Sequence, residues 1–138
     1  MLEPAFVLDC SVTLTWVFGD EATPHTDELQ ASLSEFSAWV PALWALEVGN
    51  VLCMSERSGK IKIADALQFK NLLMELPIYV DDTSMQQAFQ TIAVLAREQM
   101  LTVYDATYLE LAMRKSLPLA SLDKKLIQAA SRVGVAIR

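Results

Sequence analysis

The stretch AFVLDCS, residues 5–11, is the part of the sequence that most constrains the fold. Four consecutive apolar residues end at Asp9, and Ser11 follows two positions later. A short, wholly apolar run is typical of a strand that is buried on both faces in a parallel sheet. Ser11 favours the start of a helix directly afterwards. The stretch therefore predicts a buried strand, a carboxylate at its carboxyl end, and a helix.

The rest of the chain continues this alternation. Its apolar patterning predicts strands at residues 5–8, 38–40, 78–80, 117–120 and 135–137, with a strand or turn at 101–104. It predicts helices at 11–18, 24–36, 41–57, 63–76, 84–99, 105–115 and 123–133, with Pro41 in the first turn of the third. Such alternation indicates an α/β fold, a three-layer α/β/α sandwich with a mostly parallel central sheet. No linker or repeat divides the chain, so residues 1–138 are expected to form one domain.

Composition excludes several classes of protein. The 138 residues carry 17 acidic against 11 basic side chains, which argues against a sequence-independent coat on nucleic acid. No apolar run approaches the length of a membrane span, and the start of the chain lacks the pattern of a signal peptide. Two cysteines make no disulfide framework, so a reducing, cytoplasmic location is expected.

Four carboxylates stand out by their position: Asp9, Glu47, Asp105 and Asp123. Three of them, the aspartates, follow strand-like runs and precede helices, and sites in open α/β sheets gather at the carboxyl ends of strands. A lone aspartate at such a junction is equally compatible with an ordinary helix N-cap. The sequence alone leaves both interpretations open for each aspartate.

Glu47 has no comparable structural explanation. It lies in a segment that is apolar nearly all round, so the helix is expected to be buried. A buried carboxylate without a partner takes up a proton or binds a cation. The nearest base, Arg57, is almost three turns away, which leaves the other acids and a shared divalent ion as the natural partners. Asn50, three residues on, shares the face of Glu47.

The available ligands indicate which metal would suit such a site. Oxygen ligands without His or Cys favour Mg²⁺ or Mn²⁺ over zinc. The single histidine, His25, lies in a polar stretch and is expected to be exposed and inert. Neither a glycine-rich phosphate loop nor a nucleophile elbow is present among the four glycines. Such a metal site can activate water and stabilise the leaving oxygen in phosphodiester cleavage.

Four motifs, in order, resemble those of PIN-domain ribonucleases, particularly the VapC-type toxins of prokaryotic toxin–antitoxin pairs. They are FVLDCSVTLTWVF (6–18), VPALWALEVGN (40–50), YDATYLELA (104–112) and LASLDKKL (119–126). The resemblance implies endonucleolytic cleavage of RNA with Mg²⁺ or Mn²⁺ as cofactor. It also implies a VapB-like antitoxin and a homodimer as partners, which the apolar surplus of the chain, including helix 63–76, would suit.

The resemblance also implies roles for single residues. Asp9 and Asp105 match the acids that hold the metal most directly, Glu47 matches an acid that binds or orients it, and Asp123 matches the most variable acid. Ser11 and Ser121 match hydroxyl positions beside the first and last acids, although many relatives have Thr at the latter. Asn50 is a plausible support for the metal ligands.

Basic residues close to the last two motifs are candidates for contacts with the RNA backbone. Arg114 and Lys115 end one predicted helix, while Lys124 and Lys125 follow Asp123 directly. We expect these four residues to border the path of the RNA. A solvated helix face is the alternative explanation for each of them.

Two other classes of function are alternatives to a nuclease. In the first, the chain is a catalytically inactive PIN-like protein- or RNA-binding module whose acids serve as caps, although the retention of all four acids argues against it. In the second, it is a phosphotransfer receiver or a haloacid-dehalogenase-type phosphatase. Both members of that class need a further acid near the first strand, where this chain has Ser11.

Overall fold

The computed structural model describes residues 3–138; Met1 and Leu2, the first residues of the expected domain, lie outside the described residues. The strands are β1 (Ala5–Leu8), β2 (Ser37–Pro41), β3 (Ile78–Asp81) and β4 (Leu119–Ala120). The helices are α1 (Cys10–Thr15), α2 (Pro24–Ser32), α3 (Leu43–Arg57), α4 (Ile63–Glu75), α5 (Met85–Gln87), α6 (Ala93–Gln99), α7 (Val103–Lys115) and α8 (Lys124–Arg132). A 3₁₀ turn at Gly19–Glu21 and a π-helical segment at Ala88–Ile92 complete them. The predicted three-layer α/β sandwich is confirmed.

The four strands form one parallel sheet in the order β3-β2-β1-β4. β1 lies between two neighbours, and its residues from Phe6 to Leu8 are fully buried, as an apolar strand in the middle of a covered sheet must be. The chain first adds β2 on one side of β1 and later adds β4 on the other. The strand order therefore reverses beside β1, and the carboxyl ends of β1 and β4 form the crevice where such folds bind ligands.

Helix α7 connects this crevice to the core. It packs against β1 and β2, and its middle residues, including Tyr108, are buried. Helix α1 follows β1 and helix α3 follows β2, and these two helices pack against each other. A single apolar core runs through these contacts, with Phe6, Leu52, Leu109 and Leu126 fully buried.

Several predicted boundaries differ from the structure, and three of them involve strand pairing or helix capping. Pro41 ends β2 instead of opening α3, since its backbone pairs in register with Asp81 of β3. Residues 101–104 form no strand: Thr102 caps α7 by accepting a hydrogen bond from the Asp105 N–H. The predicted strand at 135–137 is reduced to a single bridge between Leu119 and Ile137. At Pro41 strand pairing outweighed the local pattern, and at residues 101–104 helix capping did so.

Candidate active site

Asp9 stands at the carboxyl end of β1, where the sheet order reverses. Its N–H donates to the Ala120 carbonyl of β4 at 3.0 Å, which anchors the residue to the neighbouring strand. Asp9 occupies the N-cap position of α1, yet its side chain forms no capping hydrogen bond, and the side chain is buried. The capping explanation, left open by the sequence, therefore fails for Asp9.

Two serine hydroxyls hold the Asp9 carboxylate instead. Ser11 donates to Asp9 Oδ2 at 2.6 Å and Ser121 donates to the same oxygen at 2.8 Å. Each hydroxyl also accepts a backbone N–H from the loop before α8: Ser11 from Leu122 and Ser121 from Asp123, both at 3.0 Å. The residues at the ends of β1 and β4 are thus joined into one hydrogen-bonded unit.

Glu47 lies on α3 and is only half-buried, because the helix is amphipathic and not buried all round as its sequence predicted. Leu46, the preceding residue, is 78% exposed. The Tyr108 hydroxyl of α7 donates to Glu47 Oε1 at 2.7 Å. Asn50, expected to support the site from the same face of α3, is exposed, and within residues 3–138 it forms no hydrogen bond with Glu47. The support comes from another helix.

Asp105 and Asp123 differ in whether their side chains cap a helix. Asp105 is half-buried in the first turn of α7, where Thr102 is the cap, so its carboxylate is not needed for capping. Asp123 is a true N-cap: its Oδ1 accepts the Leu126 N–H at 3.0 Å, and the residue is exposed. The capping explanation therefore holds for Asp123 alone.

A groove of about 430 Å³ runs between Asp105 and Asp123. Its remaining walls include Thr102, Lys124 and Lys125. The groove combines carboxylates with ammonium groups on one open surface. A larger cavity, of about 670 Å³, lies elsewhere, between the π-helical segment, α6 and the distal part of α7. We identify the smaller groove with the site because two of the four acids, Asp105 and Asp123, line it.

The charges of Asp9, Asp105 and Asp123 raise the pKa values of other carboxylates in this group. Burial raises the pKa of Asp9, and the charge of Asp123 raises it further, against the lowering effect of the two serine hydrogen bonds. The pKa of Glu47 is raised by burial first, and also by the charges of Asp9 and Asp105. Burial, followed by Asp123 and Asp9, raises the pKa of Asp105. Among residues 3–138 no Lys or Arg forms an ion pair with any of the four.

The same negative field acts on a neutral neighbour. The pKa of the Cys10 thiol is raised to about 12, first by burial and then by the charges of Glu47 and Asp9. A thiol with so high a pKa stays protonated and is a poor nucleophile. Cys10 therefore belongs to the core, as expected, and the field that surrounds it favours a cation.

The donor set suits a hard divalent cation, since it consists of carboxylate and hydroxyl oxygens. As the side chains stand, however, no three His, Cys, Asp or Glu side chains in the described part of the chain are grouped as metal ligands. Serines hold Asp9, a tyrosine holds Glu47, and a backbone N–H holds Asp123. Each of these contacts leaves carboxylate oxygen available to an ion.

Arg114 and Lys115 lie far from the groove, contrary to expectation. Arg114 follows Asp105 by nine residues, about 13 Å along the axis of α7. Its guanidinium binds Glu110 at 2.8 Å and also pairs with Asp81. Lys115 lies 3.8 Å above the Trp39 ring. Both cations are therefore engaged with the protein at the distal end of the helix. Glu110 is spaced for an i,i+4 pair with Arg114, whereas Asp81 and Trp39 are distant in sequence from their partners.

Tyr108 is the residue at the site that sequence reasoning missed. It lies three positions after Asp105, so the two residues share a face of α7. That spacing was a usable signal, because a polar group on the acid-bearing face of a helix is a candidate for contact with the same site.

The chain resembles a known family in sequence and solved proteins in structure. The family model of the PIN domain matches residues 6–132. No curated protein shows significant similarity to the chain. No helix within residues 3–138 has the length and apolar character that a membrane crossing requires.

Several solved structures share the fold. The PAE2754 protein of Pyrobaculum aerophilum is 22% identical, with a TM-score of 0.71 over 93% of this chain and 86% of that one. VapBC2 of Rickettsia felis, bound to a promoter DNA fragment, is 9% identical, with a TM-score of 0.68 over 97% of both chains. VapC20 of Mycobacterium tuberculosis, a toxin that cleaves the sarcin–ricin loop, is 15% identical, with a TM-score of 0.62 over 90% and 94%.

The structural likeness shows a common fold, and the sequence match covers nearly the whole chain. Both agree with the motifs that surround the four acids. The chain belongs to the PIN domain family.

Proposed function

We propose that this protein is a metal-dependent endoribonuclease, the toxin of a type II toxin–antitoxin pair, and that Asp9, Glu47, Asp105 and Asp123 form its active site. One observation carries the proposal: within residues 3–138, no Lys or Arg pairs with any of the four acids, and the charges of Asp9, Asp105 and Asp123 raise the pKa values of acids near them. Keeping like charges together costs stability. A fold retains such an arrangement when a cation offsets the charge in the working state.

Mg²⁺ or Mn²⁺ is the cofactor that we propose for this site. Asp9 and Asp105 would hold the ion, with Glu47 and Asp123 beside them. Such an ion lowers the pKa of a water molecule and neutralises charge on a phosphate. The chain's own part is to orient the carboxylates: Ser11 and Ser121 hold Asp9 Oδ2, and in the described part of the chain no other side chain donates a hydrogen bond to Oδ1.

RNA is the proposed substrate, and Lys124 and Lys125 are the proposed contacts with its backbone. They share the groove with Asp105 and Asp123, so a phosphate could meet the ammonium groups while a neighbouring phosphate faces the acids. This arrangement keeps the overall acidic chain from repelling the backbone where it must approach. Arg114 and Lys115, which are engaged with the protein far from the groove, are left out of the proposed RNA path.

A VapB-like antitoxin and a second copy of the chain are the proposed partners. VapBC2 of Rickettsia felis, whose structure shares this fold, bears a name that pairs VapB with VapC. The chain also exposes large apolar side chains in two separate regions. They are Leu46, Ile63, Leu67 and Met74 on α3 and α4, and Met85, Phe89, Val94 and Met113 on the π-helical segment and its neighbours. Apolar surface of this extent favours protein partners.

An inactive binding module is the second candidate. It is favoured by two observations: Asp123 serves as a helix cap, and the described acids are not grouped as metal ligands. In that case the chain would bind RNA or protein through the same groove without cleaving it.

Cleavage assays with purified protein distinguish the two candidates. We expect RNA cleavage that requires Mg²⁺ or Mn²⁺ and stops with chelator. Asp9→Asn and Asp105→Asn should each lower kcat/KM about 100-fold or more, by analogy with the loss of one preorganised charge-stabilising group. Asp82→Asn, a change at an exposed loop aspartate, is the matched control and should keep full activity.

The same variants should act alike in cells, where induced wild-type protein arrests growth and Asp9→Asn does not. Cleavage that persists in chelator, or growth arrest by Asp9→Asn, contradicts the metal mechanism. Tight RNA binding without any cleavage by the wild type supports the inactive module.

A further inference from the structure

Tyr108 joins the two helices that carry Glu47 and Asp105. Its side chain is fully buried, and its hydroxyl donates to Glu47 Oε1 at 2.7 Å. Asp105 lies one turn earlier on α7, and its charge raises the pKa of Glu47. One face of α7 therefore supplies a carboxylate to the site together with the hydrogen-bond donor for a carboxylate on α3.

The choice of donor matters because a hydroxyl orients a carboxylate without cancelling its charge. Glu110, on the same helix, shows the alternative: Arg114 holds it at 2.8 Å and compensates its charge. A guanidinium or ammonium group at position 108 would compensate the negative charge of Glu47 and so remove its attraction for a metal ion. Tyr108 instead holds one oxygen and leaves Glu47 Oε2 without a protein hydrogen-bond partner in the described part of the chain.

The burial of the ring makes this donor rigid. A fully buried side chain in a packed core keeps one rotamer, so the hydroxyl has a fixed position. Glu47 is half-buried, and its long side chain would otherwise sample several rotamers. The hydrogen bond thus restricts the rotamers of the Glu47 side chain.

We propose that Tyr108 is a positioning residue that orients the Glu47 carboxylate for a divalent cation. This inference rests on the proposed function of the site. Partners of this kind, which hold a metal ligand from behind, typically contribute 10- to 100-fold to metal affinity, and we expect about 10-fold here because Glu47 is only half-buried.

Calorimetric titration of the metal-free protein with Mn²⁺ tests the inference. Tyr108→Phe removes only the hydroxyl, so we expect the fold to persist and the Mn²⁺ dissociation constant to rise about 10-fold. The Mn²⁺ concentration for half-maximal RNA cleavage should rise by the same factor, while RNA affinity stays unchanged. Tyr79→Phe, at a half-exposed tyrosine of β3, is the matched control and should bind Mn²⁺ like the wild type.

A double-mutant cycle separates positioning from a general structural effect. Glu47→Gln keeps an oxygen acceptor for the Tyr108 hydroxyl but removes the charge. If Tyr108 acts through Glu47, adding Tyr108→Phe to Glu47→Gln should leave the remaining Mn²⁺ affinity unchanged. An equal loss in both backgrounds overturns the inference, and so does a Tyr108→Phe protein that no longer folds.

Failure of the inference and failure of the proposed function give different results. A wild type that binds Mn²⁺ and cleaves RNA, together with a Tyr108→Phe variant of equal Mn²⁺ affinity, overturns only the role of Tyr108. A wild type that neither binds Mn²⁺ nor cleaves RNA overturns the proposed function, and the inference with it.

Discussion

The two ends of α7 use the same chemical groups in opposite ways. At the amino end, Asp105 lies near other carboxylates that raise its pKa, and no cation of the described chain pairs with it. At the carboxyl end, Glu110 and Asp81 both bind Arg114, and the pKa of this guanidinium is raised by them. The charges of the distal acids are compensated by Arg114, whereas no Lys or Arg of the described chain compensates the charges of the proximal acids.

This difference teaches how structural and functional carboxylates can be told apart. An acid that serves the fold has its charge compensated by the fold, since burying an unpaired charge is costly. An acid that awaits a ligand is held by neutral donors, such as the hydroxyls of Ser11, Ser121 and Tyr108. The distal end of α7 should therefore control stability, and the proximal end should control activity.

The largest stability effect is expected at the distal end. Arg114→Ala leaves Glu110, which is nearly buried, without its cation. The Arg114 side chain is 38% exposed, so solvent reduces the loss below that of a fully buried pair. We expect the free energy of unfolding to fall by about 2 kcal/mol, as measured by denaturant titration.

RNA cleavage by Arg114→Ala, measured below its unfolding transition, should stay near the wild-type rate. A large loss of activity in folded protein would show that the distal end also serves the reaction, which would break the comparison.

RNA affinity should respond to the proximal lysines and not to the distal one. We expect Lys124→Ala/Lys125→Ala, made in the Asp9→Asn background, to weaken RNA binding by about 10-fold and to reduce the salt slope of log K by about 0.7 per lost phosphate contact. Fluorescence anisotropy over a range of salt concentrations measures both quantities.

Lys115→Ala is the matched control, since Lys115 lies over the Trp39 ring at the far end of α7. Equal affinities of the double variant and its parent would remove Lys124 and Lys125 from the RNA path. A marked loss for Lys115→Ala would restore the distal end as part of it.

The smallest effect is expected in the pH dependence of stability. The pKa of Asp105 is raised above its ordinary value of 3.8, so the metal-free folded protein holds this proton more tightly than the unfolded chain. Its stabilising contribution is therefore present below pH 3.8 and is lost as pH rises through the folded pKa. Because Asp105 is half-exposed, the change is small.

Asp105→Asn should remove this part of the pH dependence. In chelator, the variant and the wild type should have similar unfolding free energies in acid, and the variant should become the more stable of the two towards neutral pH. A wild type that gains stability over Asp105→Asn as pH rises would show that the proximal acids are compensated after all.

Local sequence pattern was sufficient for much of this description. The apolar run before Asp9 predicted a buried strand, and the alternation of elements predicted the parallel sheet, because burial and periodicity act over a few residues. It was less reliable where a distant partner decided the outcome. Pro41 is a strand residue because β3 lies beside it, and Val103 and Tyr104 begin a helix because Thr102 caps it.

The sequence by itself indicated the family and most of the order of the elements, and it singled out the four acids as candidates. Only the tertiary structure decided how each acid is held: Asp9 by hydroxyls from two loops, Glu47 by Tyr108, Asp123 by its own helix, and Asp105 without a capping role. It also decided that Arg114 serves the fold at the far end of α7. The physical reason is that most of these hydrogen bonds and ion pairs join residues far apart in the chain, whose distances no local pattern encodes. The Asp123 cap and the Glu110–Arg114 pair are the local exceptions.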